Sequence, residues 1–168
     1  MSVHKEASLP LRLLIDTNVL LDYYLGRPSS LAGMKKLIER ARESEKLILY
    51  VSALSLKDVY FVLGRTLKMA ARNEGALTDG AIDAANETAW ACIRDIREIA
   101  IIAPVGTDEV LDSFVFKRHH NDFEDDLILG VANRVDADYV VTGDRDLIAH
   151  TNGVCIDVAR AVELLDRA

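Results

Sequence analysis

Short apolar runs alternate with longer amphipathic segments along most of this chain. Runs at residues 11–15, 47–51, 99–103 and 139–142 have the length and character of buried strands, and residues 154–156 fit an edge strand. In the segments between them, apolar residues recur every three or four positions, which is the helical period. Strands that alternate with helices predict an α/β fold with a parallel sheet of four to five strands, covered by helices on both faces.

The helical segments have recognisable boundaries. Ser30 is expected to cap the second helix, Ser52 to open the third, and Thr107 to cap a short helix before residue 117. The predicted helices cover about residues 19–25, 31–44, 53–72, 79–98, 107–116, 122–135 and 158–165.

Length and composition limit the class of protein. With 168 residues, 50% hydrophobic and 28% charged, the chain suits one globular domain over 1–168, with its core at about 11–160. No apolar run approaches the roughly 20 residues that span a bilayer, and residues 1–10 have no apolar signal-peptide core. Cys92 and Cys155 lack metal-ligand spacing, so we expect two reduced thiols in a cytoplasmic protein.

The net charge of −7 argues against a protein that coats nucleic acid, because such proteins are normally basic. It does not exclude a nuclease, because part of the negative charge could belong to a metal site. Two basic clusters allow a local patch, although solvated helix faces are the more ordinary explanation. These clusters are Lys35, Lys36, Arg40 and Arg42, and then Arg65, Lys68 and Arg72.

Acidic residues follow the first and fourth predicted strands. Asp16 comes directly after the first strand, and Asp144 and Asp146 follow the fourth. Parallel strands deliver their carboxyl ends to one edge of the sheet, where α/β proteins place their sites. Several carboxylates gathered together are unfavourable unless cations neutralise them. The pattern predicts a divalent-metal site, and metal-dependent phosphodiester hydrolysis explains it most simply.

A third acidic segment, residues 122–126, precedes the fourth strand. Asp122, Asp125 and Asp126 are spaced i, i+3 and i+4, so we expect them near one another on one helix face, with Glu124 projecting elsewhere. Asp125 is the strongest ligand candidate of this group. A run of acids at a helix start also complements the helix dipole without any further role.

Each acid has an ordinary explanation when it is taken alone. Asp16 could simply cap the next helix, and Asp144 suits a turn after Gly143. Asp58 lies between apolar neighbours on a helix, where Lys57 or Arg65 could pair with it.

Taken together, four segments resemble the sequence blocks of a PIN domain over about residues 11–160. The segments are Leu-Leu-Ile-Asp-Thr-Asn-Val-Leu-Leu-Asp from residue 13, Val-Ser-Ala-Leu-Ser-Leu-Lys-Asp-Val from 51, Asp-Phe-Glu-Asp-Asp-Leu-Ile-Leu-Gly-Val-Ala from 122, and Ala-Asp-Tyr-Val-Val-Thr-Gly-Asp-Arg-Asp-Leu from 137. The resemblance implies a Rossmann-like three-layer α/β/α sandwich. It also implies a metal-dependent ribonuclease, similar to the VapC-like toxins of toxin–antitoxin pairs.

The resemblance assigns roles to particular residues. It implies that one or two Mg²⁺ or Mn²⁺ ions are held by four catalytic acids: Asp16, Asp58, Asp125 and Asp144. Asn18 and Thr142 match accessory polar positions, and further or alternative ligands are Asp122, Glu124 and Asp146. The implied partners are an RNA substrate, an antitoxin protein and a second copy of the chain.

One residue departs from the family pattern. The second acid is usually Glu, and Asp58 is shorter by one methylene, so its carboxylate could reach a metal only through water. This departure leaves open a PIN-fold protein with a weakened site that acts by binding a partner, for which the apolar segments 47–67 and 79–96 would supply the surface. His119 and His120 could contact phosphate, although a loop His pair is more often plain surface.

Two other enzyme classes fit the chain less well. A metal-dependent phosphatase commonly needs a second acid two residues after the first, and that position is Asn18. A dinucleotide-binding dehydrogenase would show a glycine-rich motif after the first strand, and the motif is absent there.

Overall fold

A parallel sheet with the strand order β3-β2-β1-β4-β5 forms the centre of the protein. The computed structural model describes residues 9–117 and 122–167, so the predicted phosphate contacts of His119 and His120 lie outside the described residues. The strands are β1 (Leu11–Ile15), β2 (Leu47–Ser52), β3 (Ile101–Ala103), β4 (Tyr139–Val141) and β5 (Cys155–Ile156).

Helices connect the strands in the predicted alternation. They are α1 (Thr17–Tyr24), α2 (Pro28–Glu43), α3 (Ala53–Asn73), α4 (Asp79–Ile99), α5 (Thr107–Phe116), α6 (Phe123–Arg134), α7 (Arg145–His150) and α8 (Val158–Arg167). The predicted fold class, an α/β/α sandwich around a parallel sheet of four to five strands, is confirmed.

Strand β1 is the middle strand, and its side chains alternate between two cores. Leu13 and Ile15 pack into the larger core with residues from α1, α2, α3 and α8, whereas Leu14 packs with Ile128 of α6 on the other face. Ile15 lies beside Val51 of β2 and also beside Val141 of β4. This register brings the carboxyl ends of β1, β2 and β4 to the same edge of the sheet.

The predicted starts of α2 and β3 were wrong for local reasons. Ser30 does not cap α2, because the helix already begins at Pro28, a residue that favours the first helical position. The hydroxyl of Ser30 instead donates to Asp22 Oδ2 at 3.3 Å. Strand β3 begins two residues later than expected, because α4 continues through the buried Ile99.

Helix α5 begins at Thr107, so its cap is Gly106 and not Thr107 as predicted. Glu109 accepts a hydrogen bond from the Gly106 N–H at 2.6 Å, and its buried carboxylate also pairs with Arg134 of α6. Arg134 holds the pKa of Glu109 below its usual value, so the pair stays ionised near neutral pH. This contact ties α5 to α6 and helps to set the position of the acidic start of α6.

Both cysteines are free thiols. Cys155 is buried in β5, and burial raises its pKa to about 11, which disfavours the reactive thiolate. Among the described residues, no helix combines the length and apolar character needed to cross a membrane.

Two glycines on different helices should respond oppositely to replacement by alanine. A Cβ at Gly33 would lie 2.3 Å from Val158 Cγ1 and 3.7 Å from Val162 Cγ2, so Gly33→Ala must push α8 away from α2. A Cβ at Gly64 would meet Ala89 Cβ at an ordinary 3.9 Å. We expect Gly33→Ala to lower the free energy of unfolding by about 1–3 kcal/mol and Gly64→Ala to raise it by about 0.5–1 kcal/mol.

Urea denaturation of both variants beside the wild type measures these changes, and each variant is the chemical control for the other. Equal effects of the two substitutions would contradict the close packing of α2 on α8.

Candidate active site

A cleft of about 310 Å³ opens at the carboxyl ends of β1 and β4. Its wall is rich in acidic side chains contributed by four separate parts of the chain. The lining residues are Asp16, Thr17, Asn18, Leu21, Asp58, Val62, Asp122, Glu124, Asp125 and Asp144. All four acids predicted to be catalytic therefore reach the same cleft, although their roles remain predictions.

Asp16 is buried at the end of β1 and caps α1. Its Oδ1 accepts a hydrogen bond from the Thr17 N–H at 2.6 Å, and its Oδ2 accepts from Asn18 Nδ2 and Thr142 Oγ1, both at 2.7 Å. Burial nevertheless raises the pKa of Asp16, and the nearby charge of Asp144 adds to the shift, so these three donors only partly offset the loss of water. Asp16 thus caps α1, as its ordinary explanation predicted. It is also a buried carboxylate whose charge is only partly compensated.

Thr142 and Asn18 join the ends of β1 and β4. Besides donating to Asp16, the Thr142 hydroxyl accepts from Asn18 Nδ2 and from the Asp144 N–H, each at 3.0 Å. Asn18 Oδ1 accepts from the Gly143 N–H at 2.7 Å. The two residues predicted as accessory polar positions therefore hold Asp16 and the loop before Asp144 at fixed separation.

Asp58 reaches the cleft from α3. Ser52 caps this helix by accepting from the Leu54 N–H at 3.1 Å, and Asp58 lies nearly two turns farther along. Lys57 Nζ lies 3.0 Å from Asp58 Oδ1, so the pairing with Lys57 that the sequence suggested is present. The ion pair leaves Asp58 in the cleft and places one cation at its border.

A buried hydroxyl pair connects α1 to α3 beneath the cleft. Thr17 Oγ1 donates to Ser55 Oγ at 2.9 Å, and both residues are buried. Ser55 was not among the residues predicted for the site. Its position three residues before Asp58, on the same helix face, was the available signal.

The first turn of α6 contributes three acids to the cleft. Asp122 caps the helix, with its Oδ1 accepting from the N–H groups of Glu124 at 2.9 Å and Asp125 at 3.4 Å. Glu124 was expected to project elsewhere, and that expectation was wrong. Its pKa is raised by partial burial and by the negative charges of Asp58, Asp16 and Asp122, in that order.

Asp126 does not share the cleft with Asp122 and Asp125, contrary to the expected common face. It is buried on the other side of α6, where it lines a small cavity together with Ser113 and Lys117. The reason is geometric. Asp122 is a capping residue outside the regular helix, and adjacent helical residues such as Asp125 and Asp126 diverge by about 100°.

Asp146 also lies outside the cleft. It is an exposed residue in the first turn of α7, and its N–H donates to Asp144 Oδ1 at 2.8 Å. Asp144 is thus the cap of α7, a helix whose six residues are too few to show a period in the sequence. The role of Asp146 as an alternative ligand has no geometric support.

The donor chemistry of the cleft fits a hard divalent cation. Its acids supply only oxygen ligands, which Mg²⁺ and Mn²⁺ prefer. Burial first, and neighbouring carboxylates second, raise the pKa of Asp16 and of Glu124, and a nearby cation would oppose both effects. Within residues 9–117 and 122–167, no three His, Cys, Asp or Glu side chains lie close enough together to hold a metal ion by themselves. A cation there would accordingly keep several water ligands, which is usual for Mg²⁺.

The sequence of this chain is similar to that of a known protein family. The chain matches the sequence profile of the PIN domain family over residues 12–146. No protein of curated function matches it in sequence.

Three solved structures have a similar fold, and each is described as a toxin, as VapBC or as a toxin–antitoxin complex. VapC20 of Mycobacterium tuberculosis, described as a Sarcin-Ricin loop cleaving toxin, is 14% identical with a TM-score of 0.58, over 83% of this chain and 95% of VapC20. VapBC2 of Rickettsia felis, solved with a promoter DNA fragment, is 11% identical with a TM-score of 0.60, over 88% and 98%. A toxin–antitoxin complex from Klebsiella pneumoniae is 17% identical with a TM-score of 0.51, over 87% and 97%. At these identities the likeness shows the fold.

The buried charge of Asp16 should make stability depend on pH in a defined direction. Because the pKa of Asp16 is raised above the unfolded value of about 3.9, its protonated form favours folding, and that contribution is lost as the pH rises through the folded pKa. We expect the melting temperature of Asp16→Asn, relative to the wild type, to increase as the pH rises from about 4 and then to level off.

Differential scanning fluorimetry across this pH range, without divalent cations, measures the difference. Asp146→Asn is the matched control, because Asp146 is exposed outside the cleft and its difference from the wild type should stay nearly constant. If the melting-temperature differences of Asp16→Asn and Asp146→Asn from the wild type follow parallel curves against pH, the raised pKa of the buried Asp16 carboxylate is contradicted.

Proposed function

The chain belongs to the PIN domain family, and we propose that it is a metal-dependent endoribonuclease, the toxin of a toxin–antitoxin pair. One observation carries the proposal: acids from β1, α3, α6 and the end of β4 line one cleft although they are far apart in sequence. Endonucleolytic hydrolysis of RNA would place its action in the cytoplasm.

A divalent cation is part of this proposal, since PIN domain nucleases generally use one. The residues that would hold one or two Mg²⁺ or Mn²⁺ ions are Asp16, Asp125 and Asp144, with Asp58 directly or through water. When bound, such a cation would neutralise charge on the scissile phosphate and activate a water for in-line attack.

The chain's own residues would orient this chemistry. Thr142 and Asn18 hold the Asp16 carboxylate in one rotamer through their two 2.7 Å hydrogen bonds. Glu124, which lines the cleft and has a raised pKa, could accept or return a proton at its carboxylate oxygen. Lys57 lies at the border of the cleft, where its ammonium group can approach a phosphate.

The antitoxin and a second copy of the chain are proposed partners. Support comes from the exposed apolar side chains of α5, because large apolar patches on a protein surface commonly mark protein contacts. These residues are Val110, Leu111, Phe114 and Val115, and the neighbouring Phe123 is exposed as well. The toxin–antitoxin complex of similar fold gives further support.

The same surface keeps a second candidate function open, a PIN-fold protein that acts only through protein contacts. The observation that favours it is Asp58 in place of the usual Glu, together with its engagement by Lys57. A protein of this kind would bind its partner tightly and would not cleave RNA.

Replacing Asp16 should abolish cleavage. We expect the wild type to cleave a mixed RNA pool only with Mg²⁺ or Mn²⁺, and Asp16→Asn to be slower by about 100-fold or more, because it loses a ligand to the charge-stabilising ion. Gel analysis of timed digests measures the rates, and Asp146→Asn should cleave at nearly the wild-type rate.

Metal binding is followed separately as a rise in melting temperature on addition of Mg²⁺ or Mn²⁺, which Asp16→Asn should lose. A wild type that neither cleaves RNA nor responds to either ion would favour the partner-binding function.

The effect of side-chain length and charge at position 58 on RNA cleavage can be tested directly. Asp58→Glu restores the usual side chain and should keep activity within about tenfold of the wild type or raise it, because the added methylene shortens the path to the ion. Asp58→Asn keeps the size and removes the charge, and it should lose at least about tenfold. If both variants cleave as fast as the wild type, Asp58 has no part in the reaction.

A further inference from the structure

A second groove, of about 520 Å³, runs along the outer side of the α3–α4 pair. It has an apolar floor and a basic wall. The lining residues are Tyr60, Phe61, Gly64, Arg65, Lys68, Met69, Arg72, Leu77 and Asn86. The acidic residues Asp83 and Glu87 of α4 do not line it.

Three cations of α3 form the basic wall. Arg65, Lys68 and Arg72 are spaced i, i+3 and i+7, so they project from one side of the helix. In the part of the chain that the structure describes, none of the three lies within ion-pair distance of a carboxylate, whereas Lys57 on the same helix pairs with Asp58. A protein with a net charge of −7 thus keeps three uncompensated positive charges together beside one groove.

The groove and the acidic cleft both border α3. Asp58 and Val62 line the cleft, and Arg65, Met69 and Arg72 follow at helical spacing and line the groove. From Asp58 to Arg72 the helix rises by about 21 Å, at about 1.5 Å per residue. A single extended strand of nucleic acid could therefore follow this face from the cleft into the groove.

An exposed aromatic ring lines the groove. Phe61 is 65% exposed, although it is one of the larger apolar side chains of α3. The ring centroids of Tyr60 and Phe61 lie 5.9 Å apart, edge to face, and those of Tyr60 and Trp90 of α4 lie 5.3 Å apart. Exposed aromatic faces beside basic side chains are the usual means of binding single-stranded bases without sequence preference.

We propose that the α3–α4 groove binds single-stranded RNA next to the scissile bond. Arg65, Lys68 and Arg72 contact phosphates, and Phe61 stacks on a base. The inference rests on the proposed nuclease function and adds to it. The carboxylates of the cleft repel phosphates that lie beyond the reach of a bound metal ion, and the three cations of α3 would attract those phosphates instead. An acidic protein segment would also satisfy the three cations, but the exposed ring and the helix face of α3 that the groove shares with the cleft favour RNA.

Binding and cleavage can be measured separately. The binding probe is a fluorescein-labelled oligouridine of about twelve nucleotides, followed by fluorescence anisotropy on Asp16→Asn protein so that the RNA stays intact. The groove variant is Arg65→Gln/Lys68→Gln/Arg72→Gln in that protein. The matched control is Lys35→Gln/Arg40→Gln/Lys46→Gln, which removes the same charge from exposed positions in and after α2.

The groove variant should bind the oligouridine roughly 100-fold more weakly than its parent at about 0.1 M salt, with a slope of log K against log salt that is smaller by about 2. Phe61→Ala should weaken binding by about tenfold and leave that slope unchanged, because stacking releases no counterions. The α2 control should lose little affinity and keep the slope.

The two proposals fail in different ways. Suppose that the wild type cleaves RNA, and that the groove variant matches the α2 control both in its affinity for oligouridine and in its rate of RNA cleavage. The groove is then not the RNA-binding site, while the nuclease function stands. If the wild type neither binds nor cleaves RNA, the nuclease function itself fails. In the Asp16-containing protein, the groove variant should cleave a trinucleotide, which is too short to enter the groove, at nearly the wild-type rate.

Size-exclusion chromatography with light scattering tests whether the groove is a protein contact and not an RNA-binding site. A groove variant that changes the mass of the particle without weakening oligouridine binding would overturn the proposal and assign the groove to a protein contact. Equal melting temperatures of the groove variant and the α2 control would show that both are folded.

Discussion

A carboxylate that is buried with incomplete compensation lies at the centre of this protein. Asp16 ends the middle strand of the sheet, and its three hydrogen bonds reach into α1 and across to the end of β4. Burial and the charge of Asp144 still raise its pKa, so the site keeps an electrostatic demand that a cation can meet. Asn18 and Thr142 are positioned to donate hydrogen bonds to this one group.

Opposite charges are separated along α3. Its first turns place Asp58 in the acidic cleft, and its later turns place Arg65, Lys68 and Arg72 beside an apolar groove. A hydrolase of nucleic acid needs both kinds of charge, because carboxylates hold cations whereas cations hold phosphates. Because the carboxylate and the three cations lie on different turns of one helix, they do not neutralise each other. Opposite charges of α3 pair locally where Lys57 contacts Asp58.

Most of the fold could be predicted because its signals are local. Strand β1 was predicted to the residue, and α3 and α4 were predicted to within about one residue, since their apolar periods and their caps, Ser52 and Thr78, lie in the sequence itself. Helix α7 was missed because six residues cannot show a period. The four main acids, Asp16, Asp58, Asp125 and Asp144, were assigned through the family resemblance. All four line one cleft, and their catalytic roles stay predictions.

The details of the site depended on distances that no local pattern contains. Glu124 faces the cleft and Asp126 faces α5, because the Asp122 cap sets the rotation of α6 and the Glu109–Arg134 pair ties that helix to its neighbour. By itself, the sequence determined the alternation of strands and helices and the order of the acids along the chain, since both follow from neighbouring residues. Only the tertiary structure decided which acids converge and which cations stay uncompensated, because those outcomes depend on strand register, helix rotation and burial, which residues far apart in the chain set together.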